Sequence, residues 1–477
     1  MQRAHFLQRS AGAMLAVAIP PFASRAFAED ELSYKLTSTP FAFSPSTGQS
    51  YPSYAYNGFL PGPILRARVG QRVRIAYTNK SGHDSTIHWH GMILPNAMDG
   101  VQNVTQKPVP PNGTFEYAFA ANPSGTRWYH DHYDRQLING LFGVFIVEDP
   151  ADEPADAEFA IVFHDVPSMP SYEAAMRGVS NAPMTEPMDS REMTSMKAGD
   201  KMGDEVGYLA HCINGASYPQ TKTLSVRAGS RVRLRMLNAN PTQTKYVRLA
   251  GHKLTVTHTD GNRLSVPIDV DVVRLGVAER IDAYVTIAHP GAFLLQEISS
   301  EPTAYQQSVV LATTGMEHAP PQASSMLLGD AVVGTYETLA GINTKPQTYM
   351  ELRANVTQHF ELGGGRYGHS AWTMNDKVYP HIPPIIVHRG DLVRITYHNT
   401  TDMDHPMHLH GHVFKITKID GKRLARPLLK DTSLVRSNGG TMTWEFRADS
   451  PAGRWLLHCH NSVHMMSGMM TEVDYKS

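Results

Sequence analysis

Cysteine is nearly absent: 477 residues contain two, Cys212 and Cys459, so no disulfide framework can staple the fold. Beyond the first 28 residues there is no apolar run long enough to cross a bilayer. Neither sign of charge is in excess, since 43 Lys and Arg stand against 44 Asp and Glu for a formal net charge of −1. Such a chain has no basic footprint for nucleic acid, which is excluded as a partner. Helical periodicity is scarce, and short alternating runs stand in its place.

What the amino end does have is an export signal over residues 1–28. Arg3 and Arg9 flank the start of the small and apolar run 11–19, and Ala26, Phe27 and Ala28 form an A-X-A cleavage site. The mature chain is expected to begin near Glu29 and to be periplasmic or extracellular; loss of Arg3, Arg9 and Arg25 takes the charge from −1 to −4. Ala4 stands where a twin-arginine motif would carry its second arginine, so the export route stays open.

Three segments repeat one another: YNGFLPGPILRARVGQRVRIAYTN from Tyr56, INGASYPQTKTLSVRAGSRVRLRMLN from Ile213 and MNDKVYPHIPPIIVHRGDLVRITYHN from Met374. Each opens on an Asn followed by Gly or Asp and ends in period-two alternation, the signal of half-buried strands. Asn57, Asn214 and Asn375 recur at intervals of 157 and 161 residues, which predicts an all-β chain of three consecutive β-sandwich-sized units. The acidic, Pro-containing stretch 149–157 and the strand-poor stretch 315–341 read as linkers. The expected boundaries are 29–150, 151–320 and 321–477. Residues 169–202 hold seven Met among Pro, Ser, Gly and charges, and read as a mobile insertion in the second unit.

Histidine is plentiful. Its 24 copies would make about one His-X-His pattern by chance, yet there are five: His88 with His90, His130 with His132, His408 with His410, His410 with His412, and His458 with His460. Residues i and i+2 of a strand face the same way, so each pair can straddle one cluster of metals. In the run HCHNSVHMMSGM, His458 and His460 then face one way and Cys459 the other, toward His405, His464 and Met469. Two imidazoles, a thiolate and a weak thioether are the ligand set of electron-transfer copper. Cys212 is accordingly expected to be a buried free thiol. Eight further imidazoles remain for a cluster between the first and third units, room for three coppers, and four coppers in all can deliver the four electrons that reduce dioxygen to water.

HWHG at His88, WYHDH at Trp128, HPMHLHGH at His405 and HCHNSVHMMSGM at His458 resemble the four copper motifs of the multicopper oxidase family, which includes laccases and cuprous oxidases. The resemblance spans nearly the whole mature chain. It implies three cupredoxin-like Greek-key sandwich or barrel domains and four coppers per chain: one type 1, one type 2 and two type 3. On matching positions, type 1 takes His405, Cys459, His464 and Met469, and type 2 takes His88 and His408. Type 3 takes His90, His130, His132, His410, His458 and His460. Cys459, His458 and His460 would also carry electrons between the centres. Asp99 resembles the carboxylate that family members place near the cluster to pass protons; a turn residue before Gly100 is the alternative. His412 reads as orienting its neighbours. Relatives often carry a Glu near the HCH run, where this chain has Asn461, Ser462 and Met465. Met465, Met466 and Met470 read as packing residues.

The expected partners are dioxygen and a small reducing substrate, either a phenol, an aromatic amine or a metal ion. Thioethers select Cu(I), so Met169, Met176, Met184, Met188, Met193, Met196 and Met202 either recruit cuprous ion or line a surface lid. Copper nitrite reduction would have no use for eight cluster ligands. The alternative from another class is a non-catalytic copper-binding, electron-transfer or envelope scaffold protein of the same fold.

Overall fold

The computed structural model describes residues 31–133, 135–176, 206–298, 307–325, 328–341, 352–364 and 371–476. The expected export signal over residues 1–28 and Met184, Met188, Met193, Met196 and Met202 lie outside the described residues. Strand makes up about 53% and helix 5%, which agrees with the all-β reading. Six sheets pair into three sandwiches of four and four, six and six, and six and five strands.

Each sandwich begins the same way. An opening strand, Leu32–Phe43, Ala157–Pro167 or Val356–Gly364, runs parallel to Arg72–Asn79, Arg231–Asn238 or Leu392–Asn399, so a crossover must separate them. The repeated asparagines lie within that crossover, each directly after a short strand (Tyr51–Tyr56, Tyr208–Ile213 or Trp372–Met374), and carry φ values of 54°, 52° and 54°, a left-handed turn that Asn tolerates. All three make the same two bonds. Asn57 Oδ1 accepts from Thr37 N–H and its Nδ2 donates to Lys35 O; Asn214 joins Val162 and Ala160 in the same way, and Asn375 joins Glu361 and His359.

The outer strand Arg72–Asn79 alternates buried and less buried residues, as one solvated face requires. The strands Ile87–His90, Gly125–Asp131 and His405–Leu409 are buried at every residue, because their second face meets a neighbouring sandwich. Trp89 and Tyr129 point into the first unit's core, which leaves the histidines on either side of them for the other face.

The stretch read as the second linker is ordered in part. Val333–Gly334 adds a parallel strand to the second unit's sheet, beyond the residue 320 boundary expected from composition. The helical turn Tyr336–Leu339 follows, capped by Thr335; its Tyr336 hydroxyl donates to Glu279 and accepts from Leu434 N–H, tying the second unit to the third. Short polar-rich segments carry too little periodicity to announce such pairing.

Candidate metal centres

In the third unit, strand register sets Met407 opposite Cys459 and His408 opposite His458. Cys459 Sγ lies 3.7 Å from His405 Nδ1 and 3.4 Å from His464 Nδ1, and the two nitrogens are 2.9 Å apart. Three soft donors therefore converge on one point, all fully buried. Thr401 Oγ1 sits 2.8 Å from His405 Nε2 and fixes that ring. Asn461 caps the helix Ser462–Met466 by accepting from Val463 and His464 N–H, and Ser462 N–H donates to Pro241 O of the second unit. Trp372 lies over the His464 ring at 3.8 Å. The Cys459 amide donates to Met469 O, and the Met469 side chain is completely buried.

The same sheet positions in the other units hold no such set. Glu297 and Asp131 stand where Cys459 does, opposite Val247 and Ile87. Their amides donate to Gln307 O and Leu141 O as Cys459 donates to Met469 O. Lys245 and Ser85 occupy the place of His405. A Lys ammonium bonded to Asp165 at 2.7 Å and a Ser hydroxyl bonded to Asp131 close these places, so of these three equivalent positions the one in the third unit presents a thiol and imidazole together.

The eight other histidines meet between the first and third units. Donor atoms of His90, His130 and His460 lie within 4.8 Å of one another, as do those of His132, His410 and His458, and those of His88, His90 and His408. Pairing of His88 with His130, and of His408 with His458, across adjacent antiparallel strands doubles each His-X-His pair into a patch. Nδ1–H of His88, His130, His408 and His458 donates to the carbonyl of Asp99, Asp131, Asp431 and Cys459 respectively. His410 donates instead to Asp99 Oδ2 at 2.9 Å.

Buried polar atoms without partners are costly and rare. Here Nε2 of His88, His130, His132, His408 and His460, with Nδ1 of His90, are buried and partnerless among the described residues, and all lie in the convergent groups. Burial and the neighbouring imidazoles hold His90, His132, His408 and His410 well below the ordinary imidazole range, and His458 at about 4. Neutral rings with free lone pairs are what a metal requires. The donor set fits copper.

Asp99 is buried between His410 and His88, with Oδ1 3.3 Å from His88 Nδ1. His412 does not join a donor group; its Nδ1–H donates to His410 O and its Nε2 meets the Tyr475 hydroxyl at 2.6 Å. Sequence reading missed Asp431 and Thr432, which touch His90 and His408, and Arg280 and Arg127, which hold Asp431. Burial alone would raise the Asp431 carboxyl; Arg280, with Arg127 and Lys430, together outweigh it and hold it below the usual carboxylate range. No motif marks these residues. The one available signal was Gly91, whose Cβ would stand 2.5 Å from Asp431 Oδ2 and 2.6 Å from Arg280 Nη2.

Multicopper oxidase family models match residues 39–152, 185–316 and 346–477. The chain is 33% identical to the multicopper oxidase MmcO of Mycobacterium tuberculosis over 438 residues, covering 88% of this chain and 82% of that one. It is 26% identical to a copper resistance protein A homolog of Pseudomonas syringae pv. tomato, over 90% of both chains. Among solved structures it is similar to a multicopper oxidase from Pseudomonas thermotolerans, with TM-score 0.69, 26% identity, and 94% and 100% coverage of this chain and that one. A laccase from Botrytis aclada, 23% identical with TM-score 0.74 over 93% and 87% of the two chains, shares the fold.

Proposed function

From its membership of the multicopper oxidase family, which makes this chain a four-copper oxidoreductase with oxygen as acceptor, we propose how its residues divide the work. His405, Cys459, His464 and Met469 hold type 1 copper, and His88 and His408 hold type 2. His90, His130 and His460 hold one copper of the type 3 pair, and His132, His410 and His458 the other. When bound, copper supplies one-electron acceptance from the reducing substrate at the thiolate centre and four-electron reduction of dioxygen to water at the three-metal pocket.

One observation carries this reading: Cys459 is bonded in sequence to His458 and His460, and the strand sends its sulfur into one donor group and their rings into the other. The path between the groups never leaves the chain. Asp99 accepts from His410 Nδ1–H, and its carboxylate is the group we assign to holding and passing protons at the pocket. Asn461, where relatives carry an acid nearby, spends its side-chain oxygen on the helix cap, so proton supply falls to the Asp99 side.

We assign the reducing substrate to the class of phenols, aromatic amines and low-valent metal ions. Cuprous ion is favoured among the metals, because the start of the Met-rich segment forms the helix Met169–Met176, and Met176 Sδ lies 4.0 Å from Ser467 Oγ beside the His464 helix. The copper resistance name of one relative agrees with that choice. Export to the periplasm or beyond is part of the same proposal, and among the described residues no helix is long and apolar enough to cross a membrane.

The test is oxygen uptake by copper-loaded protein with Cu(I), Fe(II), Mn(II) and a dimethoxyphenol, for the wild type and Cys459→Ser. The expected outcome is a blue wild type that consumes oxygen and a colourless variant that does not. A four-copper wild type that consumes no oxygen would instead be a scaffold or store.

A further inference from the structure

Seven of the eight pocket histidines are set to offer Nε2. His90 is turned the other way: its Nε2 lies 3.1 Å from Asp431 Oδ1 and 3.0 Å from Thr432 Oγ1, while its Nδ1 is buried without a partner. A carboxylate can only accept, so the ring proton is on Nε2 and the lone pair on Nδ1. We infer that Asp431 is the positioning residue that presents Nδ1 of His90 to the three-metal pocket, and that Arg280 of the second unit, which supplies no ligand, sets Asp431 in place. The inference rests on the pocket assignment proposed above.

The geometry of Asp431 is over-determined. Arg280 grips it with both terminal nitrogens, Nη1 at 2.8 Å from Oδ1 and Nη2 on Oδ2, the fork that Arg makes with a carboxylate. Arg280 is itself fixed by donating from Nε to Thr126 O of the first unit. Arg127, also of the first unit, adds Nη1 at 3.4 Å from Oδ2. From the second unit, Asp260 Oδ2 accepts from the amides of both Asp431 and Thr432. All three sandwiches therefore meet at one carboxylate. The absence of a side chain at Gly91, next to His90, is what lets the ion pair approach so closely.

The same group reaches a second ligand. Asp431 O and Thr432 Oγ1 lie 2.8 and 3.1 Å from His408 Nδ1, and the His90 and His408 rings stack at 3.7 Å with 14° between their planes. Asp431 thus sets the relative placement of a type 2 and a type 3 donor. Without the Asp431 carboxylate only the Thr432 hydroxyl remains at His90 Nε2, so the ring is held less firmly, and a turn of the ring withdraws Nδ1 from His130 and His460.

Wild type, Asp431→Ala, Arg280→Met and Arg280→Lys would be loaded with copper and compared by copper per chain, blue absorbance and the fraction of copper visible by electron paramagnetic resonance. Asp431→Ala and Arg280→Met are expected to keep the blue centre and to bind pocket copper about 10- to 100-fold more weakly. The visible fraction should rise, because a pair with one displaced donor no longer couples magnetically. Arg280→Lys should fail to rescue, since an ammonium keeps the charge and loses the fork. If any of these unfolds, Thr432→Val, which keeps the ion pair and removes the hydroxyl at His90 Nε2, should move the resonance signature the same way by less. Variants with wild-type copper content, affinity and resonance signature would overturn the inference. A wild type that never holds pocket copper would overturn the pocket assignment, a separate failure.

Discussion

At the scale of single residues, a carboxylate earns a chemical role by what it touches. Asp99 stands between His410 and His88 and is wholly buried, a placement that a turn residue does not need. Asp99→Asn keeps an oxygen for His410 Nδ1–H and loses the ability to exchange a proton, so oxygen turnover should fall about 10²- to 10⁴-fold with copper content unchanged. Copper analysis beside oxygen uptake checks this, and loss of copper in step with turnover would reduce Asp99 to a prop. The grouping of histidines was legible in the sequence because strand alternation converts i, i+2 spacing into a shared face. Asp431 and Arg280 were not: they act through hydrogen bonds to partners 151 to 341 positions away in the chain, and no local pattern records such contacts.

At the scale of elements, the repeats were readable because the turn chemistry recurs with them. Asn214 combines a positive φ with two buried-side bonds to Val162 and Ala160, so Asn214→Ala should cost about 2 kcal/mol. Thermal denaturation of the variant beside the wild type measures it. A Gly at that position should recover the backbone part and leave the bond part. The all-β class followed from alternation alone. The short helix Ser462–Met466 did not, since its cap, Asn461, sits inside a run whose histidines and cysteine dominate the reading. The strand Val333–Gly334 escaped notice for a related reason: two residues have no periodicity.

At the scale of the whole molecule, the sandwiches are joined by buried polar contacts as well as by apolar ones. His164 of the second unit lies between Phe43 and Phe142 of the first, with ring centroids 5.8 and 5.3 Å away, and its Nε2 accepts from Gly215 N–H. Burial pushes this imidazole down to about 4 from an ordinary 6.5. An unfolded chain therefore binds this proton more readily than the folded one, and stability falls as pH drops from about 6.5 to about 4. The full loss is about 3 kcal/mol for this residue. Denaturant titrations across that interval should show the slope, and His164→Gln should lessen it by this one residue's share; an unchanged slope would assign the acid sensitivity to other groups.

The division of donors between distant stretches of chain also fixes when metal can arrive. His132 and His458 are separated by 326 positions, and the sulfur lies beside the later one. A polypeptide still being synthesised or threaded through a translocation channel owns four of the eight pocket imidazoles and lacks Cys459. Copper acquisition thus belongs to the moments after the carboxyl-terminal stretch has docked, in whatever compartment that happens, and a chain released early is bound to stay colourless.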